Sequence, residues 1–206
     1  LELAKVPSTP EVFIDGFSQG LNYAAFGGSK VTAFDVDKDV KYSGSASMKI
    51  EIPDAGDPQG AYAGGVYYTS TGRDLTEYNA LTFWVKASQP ATVALFGFGN
   101  DLGESKYLVS LTDVAVNTNW KQVIIPIPDA SFLTQERGMF YFVEGPEDDK
   151  GYTIWIDEVK FENLGTIAHK KPMILNGEDR AESAVNGLKF PVRGLSVSFN
   201  MPTGID

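Results

Sequence analysis

The chain has 206 residues, 43% of them hydrophobic, enough for one large core or two small ones without covalent staples. Its net charge of −10 argues against nucleic acid and against an anionic lipid surface, since both are held by clustered Lys and Arg. The absence of cysteine removes disulfides, thiolate metal sites and thiol nucleophiles, and no apolar run approaches the ~20 residues of a membrane helix, so no membrane insertion is expected.

Twenty-one glycines, 11 prolines and 12% aromatic residues favour short strands joined by tight turns. The start, Leu1 to Lys5, lacks the charged, apolar and cleavage regions of a signal peptide and reads as a mature or trimmed chain. Val12 to Phe17 reads as a strand, and Ser45 to Ile52 alternates strictly, with Ala46, Met48, Ile50 and Ile52 on one face. Further strands are expected at Gly65 to Thr69, Leu81 to Ala87, Thr92 to Gly99, Tyr107 to Leu111, Lys121 to Ile127, Gly138 to Val143 and Tyr152 to Phe161. Turn clusters such as 53–58 and 144–149 separate them. No segment carries a helical apolar face, and only a turn near Leu75 to Tyr78 is expected. Eight or nine strands at this spacing imply an all-β fold, a two-sheet antiparallel sandwich. Residues 1–10 form a lead and 11–165 the sandwich. Residues 166–206 read as a linker with a strand-containing tail, or as the start of a following domain.

Four segments in fixed order carry a family resemblance: Phe13-Ile14-Asp15-Gly16-Phe17, Val40 to Ile50 with its Tyr42-Ser43-Gly44 turn, Leu75 to Lys86 with Phe83-Trp84-Val85-Lys86, and Tyr152 to Phe161 with Trp155-Ile156-Asp157. Together they resemble the carbohydrate-binding modules built on the galactose-binding-like jelly roll, such as families 4, 11 and 22. The resemblance implies a jelly roll over roughly residues 11 to 163. It also implies a polysaccharide or oligosaccharide ligand, no catalysis, and a secreted or cell-surface bacterial protein linked to other domains. It further implies a structural calcium where the first and last strands meet the Ser-Gly turn, with Asp15, Ser43 and Asp157 as ligands. Calcium takes six to eight hard oxygens, which acidic side chains and turn carbonyls supply. The family often has Glu where this chain has Ser18, and Asp37 in the run 35–39 is the replacement carboxylate.

Sugars present C–H faces to aromatic rings and hydroxyls to amides and carboxylates. Strand parity puts Leu81, Phe83 and Val85 inward and Trp84 outward. In the next strand Val93 and Leu95 fit inward, which turns Phe96 and Phe98 out to flank Trp84. Tyr67, Tyr68, Tyr107 and Tyr141 are candidates for the edges of that surface, with Asn100, Asp101 and Glu144 as hydrogen-bonding partners. Trp120 and Trp155 are assigned to packing.

The only histidine, His169, lies in the polar tail, which removes histidine triads and multi-histidine metal centres. No phosphate-binding loop or dinucleotide spacing occurs. Two other readings remain open. A structural spacer or protein-docking sandwich would show a broad apolar patch in place of an aromatic groove. A polysaccharide-cleaving enzyme would show a deep cleft with a perturbed carboxylate, Glu144 with Asp101 being the pair to test.

Overall fold

The computed structural model describes residues 8–101, 107–166 and 196–198; the expectations for residues 1–7, for His169 and for most of the 166–206 tail lie outside them. The strands in chain order are β1 (Glu11–Phe13), β2 (Leu21–Ala25), β3 (Phe34–Asp37), β4 (Ser47–Ile52), β5 (Ala63–Arg73) and β6 (Ala80–Ala87). They continue with β7 (Ala91–Phe98), β8 (Leu108–Val116), β9 (Lys121–Pro126), β10 (Glu136–Glu144), β11 (Tyr152–Glu162) and β12 (Ser196–Ser198). Among the described residues there is no α-helix. One 3-10 turn, Ala130–Phe132, is capped by the Asp129 side chain, and the expected turn closes through Tyr78 N–H donating to the Leu75 carbonyl.

The strands pair antiparallel into two sheets. The first runs β3-β4-β11-β6-β9, with β1 also on β11, and the second runs β12-β8-β7-β10-β5-β2. The expected jelly-roll sandwich is therefore the observed fold. Two strands escaped sequence reading, β2 (LNYAA) and β3 (FDVD), each next to one neighbour at its sheet's border. Asn, Asp and Ala are poor strand formers, and pairing to a longer partner overrides that preference.

The core lies between the sheets and follows alternation. Met48, Ile50 and Ile52 of β4 and Leu81, Phe83 and Val85 of β6 point inward, as expected from sequence. Phe83 meets Phe96 of β7 and Phe140 of β10 edge to face, at ring separations of 5.0 and 5.3 Å. Each such buried ring contributes about 1.5–3 kcal/mol of burial energy.

One strand departs from strict alternation. Val93 pairs with Val114 and Leu95 with Thr112, yet Val93 points inward and Leu95 outward with Thr112. Between them the Ala94 N–H donates to the Glu144 carboxylate at 2.5 Å, and Asp113 on β8 has φ 55°. The side-chain sequence slips by one position, and Phe96 and Phe98 turn into the core.

Two buried charged groups tie strands together, one within the first sheet and one between the sheets. β4 pairs with β11 over Tyr152 to Ile156, and β1 takes over at Val159 and Lys160. In the gap the buried Asp157 carboxylate accepts from the Tyr42, Ser43 and Glu158 N–H groups. At the end of β5 the buried Arg73 guanidinium donates to the Thr9 and Glu11 carbonyls and to the Ser18 hydroxyl, at 3.1, 2.7 and 2.8 Å. A strand of the second sheet thereby holds the first strand of the other. Replacing Arg73 by Met removes three donated bonds and leaves their acceptors unpaired, with an expected loss of about 2–4 kcal/mol in chemical denaturation. An unchanged unfolding free energy would show that the clasp carries no stability.

Candidate functional site

The residues expected to form one ligand surface divide among three places. Phe96, Phe98, Tyr67 and Tyr107 are core residues, each 0–1% exposed, which corrects the outward placement of the two phenylalanines. Tyr67 stacks on Phe17 at 5.1 Å, and the Tyr107 hydroxyl accepts from Asp129 N–H. Their rings went inward because parity and packing outweigh a single hydroxyl.

Trp84 does point outward, but from the first sheet. Its ring stacks on Tyr42 at 3.9 Å and an interplanar angle of 10°. Tyr42 also meets the edge of Trp120, and Lys86 sits 5.9 Å from the Trp120 ring centroid and 5.6 Å from that of Trp155. Trp155 Nε1 donates to Asp37. Around this cluster lie ion pairs, Lys49 with Glu51 and Lys160 with Glu158 and Glu162. All three tryptophans of the chain therefore serve one charged face, each ring already in contact with Tyr42 or Lys86.

The outer face of the second sheet is different. Gly97 of β7 stands directly opposite Tyr141 of β10. A Cβ at Gly97 would lie 2.6 Å from the Tyr141 ring, so the ring lies over the glycine, with its hydroxyl hydrogen-bonded to Ser110. The same device recurs on β5, where a Cβ at Gly64 would lie 2.7 Å from the Tyr62 ring. The Tyr62 hydroxyl donates to the Gly27 carbonyl. Phe26 approaches Tyr141 edge to face at 6.5 Å, and Asn22 pairs with Tyr68 across β2 and β5. Tyr141 is 5% exposed and forms a floor, whereas Phe26, Tyr62 and Tyr68 are half-buried rings at the surface. Val66 points out on the same strand and is nonetheless fully buried, outside the core cluster. Sequence reading named Tyr68 and Tyr141 but missed Phe26 and Tyr62. The available signal was the glycines of Gly64-Gly65 and Phe96-Gly97-Phe98, each facing a ring it makes room for.

Asn100 and Asp101 lie at one end of this sheet. Asp101 Oδ2 accepts from Arg137 Nε and Nη2 at 3.1 and 3.0 Å, beside a cavity of about 260 Å³ that Phe132 and Glu136 also line. Glu144, at the far end of β10, accepts from the Tyr152 hydroxyl at 2.8 Å and from Ala94 N–H. Burial pushes both Glu136 and Glu144 up to about 7. Glu144 and Asp101 thus sit at opposite ends of a strand, and they do not face each other across a cleft as a cleaving pair would.

The residues expected to hold calcium are hydrogen-bonded within the chain. Asp157 spends both oxygens on amides, as described, and Asp15 Oδ1 accepts from Ser45 N–H at 2.5 Å. The Ser43 hydroxyl donates to Glu158, and Asp37 binds the Trp155 indole and the Asp39 and Val40 amides. N–H donors already face these oxygens, so the amides of the turn supply the positive partial charge that an ion would bring. Among the described residues no three acidic or histidine side chains gather at one point.

A family model described as Carbohydrate binding domain 30 matches residues 13–163. Among solved structures, a family 30 carbohydrate-binding module is 17% identical with a TM-score of 0.50, covering 74% of this chain and 96% of its own. A family 11 module of a cellulosomal cellulase of Clostridium thermocellum is 13% identical with a TM-score of 0.53, covering 78% and 97%. A family 11 module from the same organism, solved in complex with a β-1,3-1,4-mixed-linked tetrasaccharide, is 15% identical with a TM-score of 0.50, covering 76% and 95%. At these identities the likeness is one of fold. No curated protein matches the chain.

Two outcomes are expected from this chemistry. Glu136 and Glu144 titrate near 4.5 when unfolded and about 7 when folded, so folding takes up protons between those values. The stability they contribute is full below about pH 4.5 and is lost as pH rises through about 7. Thermal midpoints measured from pH 5 to about pH 8 should therefore fall, and Glu144→Gln should flatten the slope. A flat wild-type profile would contradict the shifts. Excess chelator is expected to leave the midpoint unchanged; a drop reversed by calcium would show a cation at the Asp157 turn.

Proposed function

Given that the chain belongs to the carbohydrate binding domain 30 family, a family of non-catalytic carbohydrate-binding modules, we propose that it binds a neutral glycan chain along the outer face of the second sheet. The observation that carries this reading is the pair of tyrosine rings laid over glycines, Tyr62 on Gly64 and Tyr141 on Gly97. The half-buried Tyr62 ring is the one of the two that can meet the C–H side of a pyranose, Tyr141 lies beneath as a floor, and half-buried Phe26 and Tyr68 extend the platform. Asn22 and Thr112 supply amide and hydroxyl groups around the rings for sugar hydroxyls.

A neutral ligand suits the site because a charge of −10 repels polyanionic chains. The complex of a family 11 module with a mixed-linked tetrasaccharide makes β-linked glucans the first ligands to test. We place the module outside the cell, within a larger glycan-degrading system. Among the described residues no helix is long and apolar enough to cross a membrane.

A second surface has one observation in its favour, the 42% exposed Tyr42 ring stacked on Trp84. The two are separated by calorimetry and affinity electrophoresis against β-glucans, xylans, mannans and galactans. Tyr62→Ala is expected to weaken binding by about tenfold or more, near 1.4 kcal/mol, while Tyr42→Ala leaves it within about twofold. The reverse pattern would move the site to the first sheet, and wild-type protein that binds no glycan would overturn the reading.

A further inference from the structure

The rings packed between the two sheets are mostly phenylalanines, which ask for no hydrogen bond. Two of the tyrosines that join them have bonded hydroxyls: Asp129 N–H donates to that of Tyr107, and that of Tyr152 donates to Glu144, each at 2.8 Å. On the outer face the Tyr141 hydroxyl is bonded to Ser110. Tyr23 and Tyr67 differ from these. Both hydroxyl oxygens are buried, and neither has a hydrogen-bond partner among the described residues.

The two residues stand directly opposite each other on β2 and β5, so their side chains leave the same face of the sheet as neighbours. Their ring centroids are 4.9 Å apart with 39° between the planes. Tyr67 is 1% exposed, stacked on Phe17 and meeting Phe34 edge to face at 5.5 Å. Tyr23, half-buried at the border of the sheet, also lies against Phe34, at 5.4 Å. A Cβ on Gly65 would run into the Tyr23 hydroxyl, so the end of that phenol is seated over a residue without a side chain. Burial pushes Tyr23 up to about 12 and Tyr67 well above the usual phenol value, the nearby Tyr23 adding to the rise at Tyr67. Both therefore stay neutral O–H groups, each able to donate and to accept.

A buried hydroxyl without a partner costs free energy that phenylalanine would not, since the ring packs in the same way. Such an oxygen in a folded protein is satisfied by an internal water, which is held by about two to four hydrogen bonds from buried polar groups. From the pairing of Tyr23 with Tyr67 we infer an internal hydration site: one water between the sheets, behind β2 and β5, accepting from one phenol and donating to the other. Water is the ligand rather than an ion, because both phenols are neutral and the neighbouring walls are the rings of Phe17 and Phe34. The site lies on the inner side of the strands that carry Asn22 and Tyr68 outward, and it does not depend on a glycan lying there.

The test compares wild type with Tyr23→Phe, Tyr67→Phe and the double variant, all of which keep their rings. Magnetic relaxation dispersion of water oxygen counts the waters held longer than the protein takes to tumble, and thermal midpoints report stability. The double variant is expected to hold one long-lived water fewer than wild type. Each single substitution is expected to lower the midpoint by about 2–4 °C, because the water loses one of its two partners, and the double variant to recover part of that loss because no hydroxyl is left to satisfy. The water count decides. An equal count in wild type and double variant would overturn the site; midpoints that rise in both single variants would then show that the hydroxyls are unpaired, and midpoints that fall would show that they bond each other directly. A high-resolution crystal structure of the wild type gives the same answer without any variant. Density for a water within hydrogen-bonding distance of both hydroxyls is expected, and either an empty space or a direct bond between them would refute the inference.

Discussion

The outer face of the second sheet depends on one cross-strand pair, Tyr141 opposite Gly97. That register puts Phe140 and Phe142 of β10 and Phe96 and Phe98 of β7 into the core, and the tyrosine between the first two out over a residue without a side chain. A slip by one residue would exchange core and site, exposing four phenylalanines and burying a phenol. Core packing and the proposed ligand surface are thus two readouts of the same pairing. The aromatic contacts around Phe83 and Phe140 that stabilise the fold also fix the flat tyrosine in place.

That register is held by side-chain bonds at the strands' own ends. The Glu144 carboxylate takes the Ala94 N–H from β7 and the hydroxyl of Tyr152 from the opposite sheet. It joins three strands at the point where β7 changes parity. Its burial costs ionisation, hence the rise to about 7, and the two donated bonds offset part of that cost. Glu136 does the same at the other end of β10, where its Oε1 holds the first amides of the strand. The strand carrying the floor of the proposed site is therefore pinned at both ends by a buried carboxyl.

This explains which parts were legible in the sequence. Where alternation is uninterrupted, as in Ser47 to Ile52 and Leu81 to Val85, facing was read directly, and Trp84 was correctly turned outward. The four ordered motifs located the fold because they hold the Asp157 gap and the turn at Ser43, which the chain must build to seat β1 beside β11. Phe96 and Phe98 were misplaced because the parity slip is caused by Glu144, fifty residues away, and by a positive φ at Asp113, neither of which marks the local pattern. The aromatic residues that drew attention were the tryptophans, yet their indoles are engaged with Tyr42 and Lys86. Phe26, Tyr62 and Phe132 sit in connecting segments, where alternation assigns no face.

The two outer faces also differ in what a ligand would have to displace. Binding a neutral sugar replaces water at hydroxyls with protein hydrogen bonds and covers ring faces with apolar surface. That exchange is favourable only where few ions must be desolvated. On the first sheet a glycan would lie over Lys49, Lys86, Lys160, Glu51, Glu158 and Glu162, whose charges stay in water at little cost only while the face is open. On the second sheet the central rows are Gly64, Val66, Gly97, Tyr141 and Val143, which carry no charge. The Asp101–Arg137 pair stands at the end, already neutralised. Sequestering the ions with the tryptophans on one side leaves the other side free to be covered. The division of charge between the faces, more than the count of aromatic rings, is what favours the second sheet in the proposed reading.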